Sequence, residues 1–195
     1  IEKPQMTIQL LEELKDDDSE YVRRSVANHL NDISKDHADL IVSLTENWLA
    51  DADKNRQKLL KHACRGLVKQ GHQAVLAAFG FGEPKVKVIA GQVSPKQIEL
   101  GGQVEVTIEL ISTANKPQDL ILDYAVHHQK AGGKTSAKVF KWKQLRLQPN
   151  QTQQLKKIHK VTAVTTRKYY SGEHKIDILL NGQVLETVSF HLLVP

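Results

Sequence analysis

The sequence predicts an α + all-β multidomain chain, with an α-solenoid over residues 1–82 followed by an Ig-like β-sandwich over residues 83–195. Three observations predict it. Apolar residues keep a helical period until Gly80-Phe81-Gly82-Glu83-Pro84 breaks it, after which they alternate. The helical part repeats itself: a shift of 34 residues carries Val26 onto Leu60, Leu30 onto Cys64 and Ile33 onto Leu67. A period in this range, with two helices per unit, marks stacked helical repeats. Turn signals then fall at strand spacing, at Ser94-Pro95, Gly101-Gly102, Asn115-Lys116-Pro117, Gly132-Gly133, Pro149-Asn150, Ser171-Gly172 and Asn181-Gly182.

Taken in order, Thr7 to Lys15 forms a short helix with Ile8, Leu11 and Leu14 on one side. The strongest helix follows at about 19–34. At about 100° per residue, Val22, Val26, Leu30 and Ile33 share one narrow sector, and Arg24, Asn28, Asn31 and Lys35 share the opposite one. The acidic run Asp16-Asp17-Asp18-Ser19-Glu20 precedes it, where negative charge suits a helix N-terminus. Asp17 with Glu20 forms a capping box, or Ser19 caps alone. Asp36 caps a third helix at about 37–50, where Ile41, Leu44 and Trp48 mark a core face. Asp53 opens a helix at about 54–69 that Gly71 ends, and a last short helix covers about 72–79.

Strands are expected near 86–92, 103–112, 119–128, 136–147, 152–161, 173–180 and 184–193. Asn181-Gly182 is a two-residue hairpin signal. Seven strands in about 110 residues suit the immunoglobulin-type sandwich, here without its usual cysteines, so Trp142 has no disulfide to pack on. Tyr169 or Tyr170 is placed to act as a corner tyrosine.

With 195 residues, 40% of them hydrophobic, the chain has material for ordinary cores. Its single cysteine, Cys64, falls on an apolar helix face and excludes a disulfide-stapled domain. No apolar run approaches the ~20 residues of a membrane span, and no signal peptide precedes the first helix, so a cytoplasmic protein with no membrane partner is expected. The chain begins at Ile1 directly on an amphipathic segment, which reads as the C-terminal part of a longer protein.

Net charge is +5 and unevenly placed. Residues 1–82 carry 11 Lys+Arg against 13 Asp+Glu, a net of −2, and residues 83–195 carry 16 against 9, a net of +7. A basic domain favours an anionic partner. The polar stripe of the strongest helix also repeats at 34 residues: Arg24 maps to Lys58, Asn28 to His62, Asn31 to Arg65 and Lys35 to Lys69. Stacked units would align these into one basic stripe. In the β part, cations concentrate at Lys130, Lys134, Lys138, Lys141 and Lys143 and in the loop Thr165-Thr166-Arg167-Lys168-Tyr169-Tyr170. Hydroxyls and cations contact phosphates, and cations enter minor grooves. Stripe, loop and domain charge agree in sign, which points to nucleic acid.

Enzymatic motifs are sparse. No H-E-x-x-H or C-x-x-C occurs among nine scattered histidines, so no metal site is expected. His127 and His128 point to opposite faces of a strand and cannot chelate together. P-loop, G-x-G-x-x-G and G-x-S-x-G patterns are absent, which disfavours ordinary nucleotide binding and serine hydrolysis.

The segment Ser19-Glu-Tyr-Val-Arg-Arg-Ser-Val-Ala-Asn-His-Leu-Asn-Asp-Ile33 closely resembles part of the AlkC-type DNA alkylation repair proteins, alkylpurine DNA glycosylases built of HEAT-like repeats with an Ig-like domain. Thr165-Thr-Arg-Lys-Tyr-Tyr-Ser-Gly-Glu-His174 and Lys138-Val-Phe-Lys-Trp-Lys143 resemble segments of that Ig-like domain. The HEAT pattern implies that Arg23 is structural and that Arg24 is the better candidate for DNA. The resemblance implies a monomer acting, without cofactor, on duplex DNA containing alkylated bases. It would hydrolyse the N-glycosidic bond of cationic lesions such as 3-methyladenine without fully flipping the base. Asp32 is then the best-placed carboxylate, and a hydrogen bond within the repeat is its other role. The family's other concave residues would come from repeats before Ile1. A non-catalytic HEAT/Ig-like module that binds DNA or protein is the second class compatible with these residues.

Overall fold

The computed structural model describes residues 3–165 and 167–195, in two compact units, Ile1–Gly80 and Phe81–Pro195. Among the described residues the first holds six helices: α1 Gln5–Leu14, α2 Glu20–Ile33, α3 Ala38–Leu49, α4 Lys54–Ala63, α5 Arg65–Lys69 and α6 Gln73–Ala78. α2 lies against α4 and α3 against α6, so successive helix pairs stack in two layers. Val26, Leu30 and Ile33 of α2, Ile41 and Trp48 of α3, Leu59, Leu60 and Ala63 of α4 and Leu67 of α5 fill the space between them. Cys64 is fully buried, and the Thr45 hydroxyl sits 3.2 Å from its sulfur.

The helix ends depart from expectation in three places. Ser19 is the N-cap of α2 but makes no side-chain cap; its own N–H donates to Asp17 Oδ1 at 2.8 Å, so the aspartate shapes the turn and no capping box forms. His37, not Asp36, occupies the N-cap of α3. The helix expected at 54–69 is two helices. Asp53 Oδ1 caps its start from Arg56 N–H at 2.8 Å, but Cys64 leaves the helical region at φ −88°, ψ 5°. The break is filled by a side chain: the Gly66 N–H donates to Asn31 Oδ1 of α2 at 3.2 Å. Gly71, at φ 73°, then ends α5. Arg23 is structural, its guanidinium donating to the carbonyls of Asp17 and Asp18.

The described residues of the second unit form eight strands: β1 Val86–Ser94, β2 Gln97–Glu99, β3 Gln103–Ser112, β4 Gln118–Gln129, β5 Thr135–Leu147, β6 Thr152–Lys160, β7 Gly172–Leu180 and β8 Gln183–Leu193. One sheet is ordered β1-β3-β6 and the other β2-β8-β7-β4-β5. Only β2 lacks a counterpart among the expected strands. It is three residues long, with Ile98 its one buried side chain, and it pairs in parallel with β8. Inward residues of β3 (Val104, Val106, Ile108, Leu110) meet those of β4, β7 and β8 in a common core. The Asn181-Gly182 hairpin forms with both residues at positive φ. Asn181 is also buried, accepting the Ile121 N–H and donating to the Gly82 carbonyl.

Aromatic packing replaces the missing disulfide. Tyr124 stacks on Phe140 at 5.2 Å and meets Trp142 and His159 edge-on. Tyr169, rather than Tyr170, is the corner tyrosine: its hydroxyl donates to the Thr162 carbonyl at 3.0 Å.

Candidate nucleic-acid interface

In the helical unit, the 34-residue spacing becomes a direct contact. His62 Nε2 donates to Asn28 Oδ1 at 2.9 Å, and Arg65 Nη2 reaches the same oxygen at 3.1 Å. Arg65 also donates to the His62 carbonyl at 2.6 Å. Burial, then Arg65, then Arg24 hold the His62 imidazole below its ordinary pKa, which keeps it neutral as a hydrogen-bond donor. Asp32 lies one turn beyond Asn28 on α2 and pairs with Lys35 at 2.7 Å. The Lys35 hydrogen bond and charge, followed by Arg65 and His29, pull its carboxyl below the usual range, so the carboxylate is ionised and open to solvent.

The basic stripe is thus a mixed one, which corrects the expectation in three respects. Lys58 is tied to Glu20 at 2.7 Å and Lys35 to Asp32, so both lysines bring counter-charges with them. Asn31 is buried and spends its carbonyl oxygen on Gly66, so it faces the helix break rather than solvent. Lys69 follows the break at Cys64, which disrupts the α4 phase that was to carry it into line. The cluster that remains together is Arg24, Asn28, Asp32, His62 and Arg65. Tyr21 was missed. It is 82% exposed, and at 100° per residue it falls on the same side of α2 as Asn28 and Asp32. Its place three residues before Arg24 and seven before Asn28 was the available signal.

In the β unit, the two basic segments converge. The β4–β5 turn and the loop before β7 line one cleft of about 390 Å3, with Lys130, Ser136, Arg167, Lys168 and Tyr170 among its walls and His128 within it. Arg167 lies over the Tyr169 ring at 5.9 Å and Lys168 over Tyr170 at 5.6 Å, which orders both cations. Lys138 rests over Phe140 at 5.2 Å. Lys134 and Thr165 are exposed in the two flanking turns. Thr166 lies outside the described residues. Lys141 does not join this set. It stands across the strand pair from Asp123 and follows Phe140, so strand alternation puts it on the other face from that core-packed ring. Tyr169 is also corrected: its hydroxyl is occupied by Thr162 and its ring packs on the core.

Three histidines are buried in this sandwich. Burial, followed by the charge of Arg167, lowers His128 to about 3, and the same causes lower His159 to about 4. His174 is lowered too, chiefly by burial. His159 Nδ1 sits 3.2 Å from the Tyr124 hydroxyl. Among the described residues, neither ring nitrogen of His128 has a hydrogen-bond partner. His127 faces the other way and pairs with Asp177 at 2.6 Å, as the alternation required. No group of three or more His, Cys, Asp or Glu among the described residues could hold a metal ion. None of the described helices is long and apolar enough to cross a membrane.

Comparison with known proteins bears on both units. An alkylpurine DNA glycosylase, AlkC of Pseudomonas fluorescens, solved bound to DNA containing an abasic site analog, is 40% identical and superposes with a TM-score of 0.92 over 97% of this chain and 53% of its own. The resemblance read from residues 19–33, 138–143 and 165–174 is therefore borne out. The uncharacterized protein YhaZ of Bacillus subtilis (strain 168) is 33% identical over 190 residues, which are 97% of this chain and 52% of that protein. The chain thus spans about half the length of both. A β-glucosidase of Erythrobacter marinus, 15% identical with a TM-score of 0.50 over 58% of this chain and 16% of its own, shares fold alone. The model of the family described as "Uncharacterised protein YhaZ, C-terminal Ig-like domain" matches residues 87–194, more than half of the sequence, and the chain belongs to that family.

Proposed function

We propose that this chain is the C-terminal part of a DNA repair glycosylase that binds duplex DNA and hydrolyses the N-glycosidic bond of cationic alkylated bases such as 3-methyladenine. The observation that carries the reading is the likeness to AlkC at 40% identity across 97% of the chain. In this reading the α2–α3 and α4–α6 pairs are the last HEAT-like repeats of a longer solenoid, and the protein works as a monomer without cofactor.

The chemistry is coherent with the cluster on α2, α4 and α5. A cationic base is already a good leaving group, so the enzyme chiefly stabilises an oxocarbenium-like sugar and positions water. Asp32 is the candidate carboxylate. Its lowered pKa keeps it charged at neutral pH, as electrostatic stabilisation of developing positive charge requires. Arg24, Asn28, His62 and Arg65 supply donors for the phosphates on either side of the lesion. Arg167, Lys168, Lys130 and Lys138 of the β unit, with Lys134 and Thr165, add backbone contacts.

Two measurements test this. The full-length protein releases 3-methyladenine from alkylated duplex DNA, whereas a binding-only module releases none. A fluorescence titration of this chain with labelled duplex gives weak affinity that falls steeply as salt rises, because phosphate contacts release counterions. Salt-independent binding, or none at low salt, counts against the reading.

A further inference from the structure

The cleft of the β unit has two chemically different zones. Its rim is cationic, with Lys130, Arg167 and Lys168, and among the described residues no Asp or Glu lies in its lining. Beneath it lies His128, only 3% exposed, whose two ring nitrogens are both buried and lack hydrogen-bond partners among the described residues. Buried polar groups left this way are uncommon in native structures. Tyr170 and Ser136 complete the walls, an aromatic face and a hydroxyl. A volume of about 390 Å3 falls in the ~300–1,000 Å3 range of small-ligand sites.

A bare phosphate would satisfy the rim and leave the aromatic wall bare. An apolar ligand would leave the cations unpaired. A nucleotide has an anionic end for the cations, a flat face for Tyr170 and polar edges within reach of the Ser136 hydroxyl. We infer that this cleft binds one unstacked nucleotide, from an unpaired DNA strand or free in solution. Aromatic stacking beside a basic groove is the usual means of gripping single strands without sequence preference. The inference rests on the nucleic-acid reading of the β unit but not on glycosylase activity.

The test titrates the 195-residue chain with a fluorescein-labelled single-stranded oligonucleotide, with the matching duplex, and with dAMP and inorganic phosphate. Binding of the single strand is expected, competed by dAMP far better than by phosphate if free nucleotide fits as well. Competition by unlabelled oligonucleotide alone assigns the site to strands. Tyr170→Ala weakens single-strand binding at least tenfold with an unchanged melting temperature, and Tyr170→Phe restores it. If Tyr170→Ala does not fold, NMR of the wild-type histidine rings decides: nucleotide shifts the His128 resonances and phosphate does not. A single strand that fails to bind while the duplex binds overturns the inference alone. Effective competition by phosphate, as strong as that by dAMP, or a folded Tyr170→Ala with full single-strand affinity, also overturns it. A chain that binds single strands but no duplex leaves the cleft standing and removes the proposed function.

Discussion

Asn31 Oδ1 accepts the backbone N–H of Gly66, thirty-five residues later in the chain, at 3.2 Å. This bond joins α2 to the start of α5, where the helix has broken and the Gly66 N–H looks outward for a partner. A Cβ on residue 66 would lie 3.2 Å from the same oxygen, so the glycine keeps the approach open. Asn31→Ala leaves that N–H without its protein partner and is expected to cost about 1–3 kcal/mol. In a domain of this size each 1 kcal/mol lowers the melting temperature by roughly 4–8 °C. Calorimetry checks the loss, and a DNA titration checks that affinity is retained within about twofold.

The same residue shows where sequence reading stops. The 34-residue shift that relates α2 to α4 was legible, because burying an apolar face forces a period onto the chain. It also placed Asn28 above His62, and the two are hydrogen-bonded. The shift treats every polar residue opposite the core as exposed, however, and Asn31 is not: an amide turned toward a neighbouring helix is indistinguishable from one turned toward solvent. The break at Cys64 had no local signal, since Lys54 to Lys69 contains no proline and Gly66 lies past the break. In the β unit, the alternation and Asn181-Gly182 set out seven strands, while β2 was too short to show a period. The two basic segments were each visible. Their convergence around His128 depends on how β4, β5 and the loop before β7 meet, which spacing alone does not express.

Loop cations test the β-unit interface without disturbing its core. Arg167→Ala with Lys168→Ala is expected to weaken duplex binding and to reduce the salt slope by about 1 to 2, one phosphate contact each. The melting temperature should hold nearly steady, since charges at such positions contribute about 1 kcal/mol or less. A variant that melts clearly lower with unchanged affinity makes the loop structural.

Buried histidines make the β unit acid-sensitive. His128 at about 3 and His159 at about 4 lie below the ordinary 6.5, so the unfolded chain takes up protons first. Their stabilising contribution is complete above pH 6.5 and is lost as pH falls through 4 toward 3. Arg167 and Lys138 near both rings, and His174 near His128, reinforce the depression. Asp16, Glu20 and Asp32, all lowered, weaken the helical unit only at more acid pH. Melting temperature measured from pH 8 to 4 should begin to fall near 6.5, and His128→Leu should flatten that early fall. A flat profile down to pH 4 in the wild type means these rings are charged or solvated.

Release of 3-methyladenine from alkylated duplex DNA by the full-length protein, wild type against Asp32→Asn, decides whether this carboxylate carries the chemistry. Asparagine keeps the shape of the side chain and removes its charge. A group that stabilises developing positive charge on the sugar loses its function with that charge, at a cost of roughly 100-fold or more in rate. That loss is expected with DNA affinity and melting temperature preserved, and no release is expected from the 195-residue chain alone. Full activity in a well-folded Asp32→Asn enzyme, or base release by the chain alone, would contradict that expectation.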